Sequence, residues 1–326
     1  MPPSSSKGLV LRIDAKVCHV EIDGARRQVP LLGKLFETAT HEKRPLAVGD
    51  MIELDATGNA IDVVLPRTSQ LHRRSAGEGS TRAQVMAANI TLVLAVGSVT
   101  QPPFQSELVD GVLAAARRED IPAAVVLTKA DLDPAAAERW RAVYQGIGIP
   151  TYVTSTTPGA ESKESLAAVG ELLHHNRSVL CGISGAGKSS LLNAVIPGSA
   201  LRVGSLNHIR QGRHTTTHTE LVPLAGGGHV LDTPGVRNFH LFHVGEQELQ
   251  FLFPEIAALL PQCEYRSCLH DDEQDCAVRA AARRGDIAPS RYSSYLRMLA
   301  HARQEARPGT KAAPPSQRGG RRRPPT

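Results

Sequence analysis

The stretch "CGISGAGKSSLLN", residues 181–193, ends an apolar run of strand character and opens a segment of helical character. That is the context a phosphate-binding loop of the G-x-x-x-x-G-K-[ST] type needs. Its glycines let backbone N–H groups wrap a polyphosphate, and the N-terminus of the following helix adds positive potential. Gly182, Ile183, Ser184, Gly185, Ala186, Gly187, Lys188, Ser189 and Ser190 are therefore candidate nucleotide ligands. Lys188 would meet the β- and γ-phosphates, and Ser189 would ligate Mg²⁺. No Asp or Glu occurs from 172 to 219, whereas Arg177, Lys188, Arg202, Arg210 and Arg213 do. An acid-free stretch around a polyphosphate site is electrostatically sensible.

Such a loop does not separate ATP from GTP. A second stretch, "AAVVLTKADLDP" (123–134), does more. Asp131 can accept from guanine N1–H and the exocyclic amine, a donor pair that adenine lacks. The aliphatic stem of Lys129 would cover the face of the base, and Thr128 opens the motif. It closes a buried strand, where open α/β sheets bind ligands. "VTSTT" (153–157) sits at the next strand end and offers a backbone N–H to guanine O6. "LDTPG" (231–235) closes another: Asp232 would hold Mg²⁺ through water, and the Gly235 N–H would sense a γ-phosphate. Between this and the phosphate loop lie the threonines of "GRHTTTHTE" (212–220), where a switch threonine belongs.

GTP-binding proteins place the phosphate loop first and the base reader last, and here the order is reversed. Moving residues 87–175 behind residue 240 restores the usual order with every strand and helix accounted for. One cut explains all five matches, so the expectation is a circularly permuted α/β domain.

The flanking segments read differently. Residues 8–66 hold five short strand patterns separated by turn residues, which suggests a small β-barrel of OB type. Its charges balance, so it serves equally as an oligonucleotide-binding barrel or as a docking barrel. Residues 71–86 are polar and basic and read as a linker. Strands alternating with helices from residue 87 mean a parallel sheet covered on both faces. Residues 243–306 read as mainly helical. The expected division is 1–70 barrel, 71–86 linker, 87–242 permuted GTPase domain, 243–306 zinc-binding domain and 307–326 disordered tail.

Net charge is +5, but the last twenty residues carry six basic side chains and no acid. The other 306 residues sum to −1, so the basicity belongs to a Pro/Gly/Arg tail that reads either as a contact for RNA phosphates or as a solubilising terminus. The start of the chain, "MPPSSSKGLVLRIDAKV", is no signal peptide, and the longest apolar run, near 90–96, is too short to span a bilayer. A cytoplasmic protein with no membrane partner is expected.

Cys263, Cys268, His270 and Cys276 follow the spacing C-x4-C-x-H-x5-C. Four soft or borderline ligands within fourteen residues suit one tetrahedral Zn²⁺ with no open position, a structural rather than a catalytic site. A reduced cysteine cluster or a disulfide is the alternative. Cys18 and Cys181 sit inside strand patterns and read as buried core.

The barrel, "TKAD", "GISGAGKSSLLN", "GRHTTT", "LDTPGVRNF" and the Cys/His module together resemble the RsgA family, also called YjeQ, of circularly permuted small-ribosomal-subunit-dependent GTPases. "DCAVRAA" (275–281) and "RYSSY" (291–295) fit it as well. The resemblance spans about residues 8–300. It implies zinc at the four ligands, Mg²⁺ with GTP, and late maturation of the 30S subunit with its 16S rRNA. It also implies hydrolysis of GTP to GDP on stimulation by the subunit, followed by release of a monomeric factor. Matched onto this chain, Thr216 is the Mg²⁺-sensing switch threonine. Thr128 replaces the commoner Asn of the base reader, which weakens a loop-bracing contact.

The position after the DTPG motif that often orients the attacking water is Val236, which cannot do so. Intrinsic hydrolysis should be slow. His214, directly before the threonines, is the candidate to orient water, a role the resemblance also suggests; otherwise it is a solvated loop residue. Two other functions remain open at this point: a GTP-dependent RNA-binding regulator with incidental hydrolysis, and a P-loop ATPase or kinase, against which Asp131 counts.

Overall fold

A computed structural model describes residues 6–14, 17–31, 46–74, 83–196, 219–232 and 244–306. Strands β1 (Lys7–Ile13), β2 (Val17–Ile22), β3 (Ala25–Pro30), β4 (Met51–Leu54) and β5 (Ile61–Val64) correspond to the five patterns of the N-terminal segment. They pair antiparallel in the order β3-β2-β1-β4-β5 around a core of Val10, Cys18, Val20, Ile22, Ile52 and Leu54. The reason is alternation: β2 buries every second residue, as a strand with one wet face must.

The two ends of the segment expected as a linker, 71–74 and 83–86, are paired with each other. Strands β6 (Gln70–Arg74) and β7 (Ala83–Ala88) form an antiparallel hairpin. Asn89 fastens its base: Nδ2 donates to the Gly49 carbonyl at 2.9 Å, and Oδ1 accepts from the Thr68 N–H at 2.8 Å. The hairpin thereby joins the two halves of the molecule rather than merely spacing them.

The central domain contains β8 (Leu92–Ser98), α1 (Ser106–Arg118), β9 (Ala123–Thr128), α2 (Pro134–Gln145), β10 (Thr151–Val153), α3 (Lys163–His174), β11 (Arg177–Cys181), α4 (Lys188–Val195), β12 (Glu220–Pro223) and β13 (His229–Asp232). The sheet runs β10-β9-β8-β11-β13-β12, parallel except for β12. All seven residues of β8 are buried because both faces are covered. Val93 and Ala95 face a core shared with α1 and α2, while Leu92, Leu94 and Val96 face one shared with α3 and α4. Counting from β11, the chain fills one side with β12 and β13, and the segment that precedes β11 fills the other. The order therefore reverses at β11, whose C-terminal end is the crevice where such sheets hold ligands.

One sheet carries both segments. β1 pairs antiparallel with β12 through Arg12 opposite Glu220, and Arg26 Nη1 lies 2.9 Å from a Glu220 carboxylate oxygen.

The C-terminal module holds α5 (Glu246–Leu249), α6 (Pro254–Ala257), α7 (Ala277–Arg284) and α8 (Pro289–Ala306) around Leu249, Phe253, Ile256, Val278, Tyr295 and Leu299. Ala114 of α1 belongs to this same core. Among the described residues no helix is long and apolar enough to cross a membrane.

Candidate functional site

The phosphate-loop candidates leave β11 and enter α4 as the sequence reading requires. Gly185 and Gly187 have φ of +80° and +86°, a region that disfavours side chains. Gly182 is required for a different reason, since a Cβ there would lie 2.2 Å from the Val96 carbonyl oxygen of β8. Lys188 Nζ donates to the carbonyls of Gly182 and Ile183 at 2.8 and 2.9 Å, which holds its ammonium over the loop. Ser189 is half-buried in the first turn of α4, beside the exposed Ser190. Cys181 is core as expected, and burial pushes its thiol up to about 12.

The base-reading stretch lies at the same sheet edge. Thr128 ends β9, and its hydroxyl donates to the Ala186 carbonyl at 2.6 Å in a buried position. The loop brace that the Thr-for-Asn exchange was expected to weaken is made, with the single hydroxyl proton spent on it. Lys129 has φ of +57°, and its Nζ donates to the carbonyl of Gln101 in the loop between β8 and α1. Asp131 Oδ1 accepts from Ser155 Oγ at 2.7 Å and Oδ2 from Thr157 Oγ1 at 2.9 Å. These hydroxyls, Ser155 first, hold its carboxyl below the usual carboxylate range. Each oxygen keeps a second lone pair, so a donor pair can still be met.

The loop at 153–157 is thus brought to the base reader, but through side-chain hydroxyls that clamp Asp131. Only the residue types could have hinted at this, since the pairing spans two strand ends. Asp232 is the last residue of β13, the neighbour of β11. His214, Thr216 and Gly235 lie outside the described residues.

The four expected metal ligands come together in the C-terminal module. The donor atoms of Cys263, Cys268, His270 and Cys276 all lie within 4.8 Å of one another. His270 Nδ1 is 3.6 Å from Cys263 Sγ and 3.4 Å from Cys276 Sγ. Zinc–ligand bonds of about 2.0–2.3 Å in a tetrahedron imply donor separations of roughly 3.5 Å. The donor set and its spacing fit zinc. Burial pushes the Cys268 thiol up to about 12 and the His270 imidazolium down.

Supporting contacts that the sequence did not reveal surround it. His270 Nε2 lies 3.0 Å from Gln250 Oε1, because the Gln250 amide nitrogen is engaged by Gln247; this points Nδ1 at the thiols. Glu273 accepts from the N–H groups of Leu269 and Asp271. Tyr292 and Tyr295 of "RYSSY" donate to the His270 and Leu269 carbonyls at 2.7 and 2.9 Å. Gln250, Tyr292 and Tyr295 reach the cluster from 20 or more residues away, whereas Glu273 lies within the ligand loop itself.

The sequence model of the RsgA GTPase family matches residues 64–242, so it takes in the β6–β7 hairpin as well as the segment from 87. The small ribosomal subunit biogenesis GTPase RsgA of Gemmatimonas aurantiaca is 35% identical over 303 residues, covering 90% of this chain and 97% of that protein. The crystal structure of YjeQ from Thermotoga maritima superposes with a TM-score of 0.72 at 30% identity, covering 91% of this chain and 98% of that one. YloQ, described as a circularly permuted GTPase, matches with a TM-score of 0.69 at 25% identity over 93% of this chain and 97% of its own. On the family model and these relatives, this chain belongs to the RsgA family of GTPases.

Proposed function

We propose that this chain binds GTP with Mg²⁺ at the β11 crevice and hydrolyses it to GDP while engaged with the small ribosomal subunit, whose late maturation it assists and from which it then dissociates. The observation that carries this reading is the hydroxyl link from Thr128 to Ala186, which unites the base reader with the phosphate loop across the permutation. Asp131, clamped by Ser155 and Thr157, supports guanine over adenine.

In this reading Lys188 neutralises the β- and γ-phosphates. Ser189, Asp232 and Thr216 hold or sense Mg²⁺, the Gly235 N–H meets the γ-phosphate, and His214 orients water. Because nothing polar stands at Val236, the intrinsic rate is low, and the subunit supplies the ordering that raises it. Cys263, Cys268, His270 and Cys276 hold one structural Zn²⁺, which replaces a large core in the module. The protein acts as a cytoplasmic monomer. The N-terminal segment is an OB-type barrel, and the tail from 307 to 326 contacts 16S rRNA phosphates.

The test is the GTPase rate with and without purified small subunits. A rise of at least tenfold with small subunits, and none with large ones, is expected. Equal rates would favour the alternative, a GTP-dependent RNA-binding regulator whose hydrolysis is incidental.

A further inference from the structure

The two tyrosines of "RYSSY" support the Cys/His cluster, but its first residue, Arg291, is a buried charge to which no role has been given. The Arg291 side chain is 3% exposed. Its Nη1 lies 2.7 Å from Asp110 Oδ1 on α1, and its Nε and Nη2 lie 2.7 and 3.2 Å from the Glu255 carboxylate of α6. Asp110 is 0% exposed and also accepts from the Tyr144 hydroxyl of α2 at 3.0 Å. The guanidinium stacks 4.5 Å above the Phe253 ring. Arg291 thus bridges the GTPase domain and the metal module.

Contacts continue in both directions. Next to Arg291 on α8, Tyr292 and Tyr295 hold the carbonyls of the metal-ligand loop. At the other end, α1 is preceded by the loop from Val99 to Gln105. There the Gln101 carbonyl accepts from Lys129, and Pro102 Cδ lies 3.4 Å from where a Cβ on Gly185 would sit. One chain of contacts therefore runs from the Cys/His cluster to the base reader and the phosphate loop.

We propose that Arg291 is a positioning residue that couples the two sites, so that metal at Cys263, Cys268, His270 and Cys276 raises the affinity for guanine nucleotide. The coupling rests on the nucleotide and zinc readings given above. Without metal, the loop at 269–271 no longer presents fixed carbonyls to the two tyrosines, and α8 loses its seat. Arg291 then leaves Asp110 as a buried carboxylate without its counter-charge, the costly way to break such a pair. Asp110 relaxes by shifting α1, and with it the loop that holds Lys129. Coupling of this kind is reciprocal, so bound nucleotide must tighten the metal by the same factor.

The experiment measures the affinity of the full-length protein for a fluorescent GDP before and after a chelator removes zinc, and again after zinc is restored. Affinity should fall five- to tenfold on removal and recover on restoration, and GDP should raise the chelator concentration needed by the same factor. In the triple variant Asp110→Leu, Glu255→Gln and Arg291→Met, which removes all three charges of the buried cluster and so leaves no carboxylate unpaired, the ratio should fall to within twofold of one. Amide exchange of wild-type residues 98–110 provides a second measurement independent of any variant, and it should quicken when zinc is removed. An unchanged GDP affinity despite release of one zinc would overturn the coupling, as would slow, unaltered exchange at 98–110 or a triple variant that keeps the wild-type ratio. Failure to bind GDP at all would overturn the nucleotide reading, and the coupling with it.

Discussion

The hydroxyl of Thr128 sits 2.6 Å from the carbonyl oxygen of Ala186, tying the end of the base-reading strand to the phosphate loop. The two residues are 58 apart, in the reverse of the usual order, yet they meet as neighbours at one sheet edge. Gly187 completes the fit, since a Cβ there would lie 3.0 Å from the Thr128 hydroxyl oxygen.

Thr128→Val keeps the shape and removes the donor. A buried carbonyl left unpaired costs about 1–3 kcal/mol. If the loop relaxes to recover a partner, GDP affinity should drop about tenfold, since each factor of ten corresponds to ~1.4 kcal/mol. Thr128→Ser, which retains the hydroxyl, should stay close to wild type. Equal losses in both variants, measured by equilibrium binding, would assign Thr128 to packing alone.

The clamp on Asp131 gives a pH dependence with a definite sign. Hydrogen bonds from Ser155 and then Thr157 lower its pKa, so the carboxylate proposed to pair with guanine should persist on acidification. It is lost only as pH falls through that lowered value. Ser155→Ala with Thr157→Val returns the carboxyl toward its ordinary range, and loss of GDP binding should begin at a higher pH. Superimposable acid limbs for the variant and the wild type would show that the hydroxyls do not tune the base reader.

Gln250 accepts at 3.0 Å from the ring nitrogen of His270 that faces away from the cluster. Gln250→Leu should leave one zinc per chain but weaken it by about 10–100-fold, the usual effect of losing such an outer contact. Cys268→Ser should lose the metal outright and loosen 245–305. Competition with a graded chelator separates the two, and identical zinc retention in wild type and Gln250→Leu would remove the glutamine from the account.

Residues 307–326 bring six cations and no acid. Their deletion should flatten the dependence of log affinity for small subunits on log salt by up to roughly four, at about 0.7 per neutralised phosphate of single-stranded RNA. The GTPase rate without subunits should be unaffected. An unaltered slope would leave the tail a solubilising segment.

How much of this was legible in the sequence follows from where each signal resides. The strand ending at Thr128 and the loop from Gly182 to Lys188 carry their own pattern, since a strand buried on both faces is a continuous apolar run and a phosphate loop needs glycine at fixed places. The four Cys/His residues that cluster in the C-terminal module lie within fourteen residues and were equally visible. The β6–β7 hairpin was not, because its polar, glycine-bearing sequence resembles loop and its order comes from Asn89 reaching Gly49 and Thr68. The pairing of β1 with β12 depends on Arg12 meeting Glu220, over two hundred residues away, with nothing local to announce it. Arg291 was hidden for the same reason: its partners arrive from α1 and α6, and a single arginine in a helix normally faces water.

If the permuted chain rebuilds a guanine-specific site, the Asp131 carboxylate is what reads the base. Asp131→Asn tests it most directly, with GDP and xanthosine diphosphate titrated in parallel against wild type and variant. Xanthine carries an oxygen where guanine carries its amine, so the asparagine amide gains an acceptor to pair with. The account predicts that the variant weakens GDP binding by at least tenfold and binds xanthosine diphosphate more tightly than wild type does. An unchanged preference for GDP in the variant would contradict it.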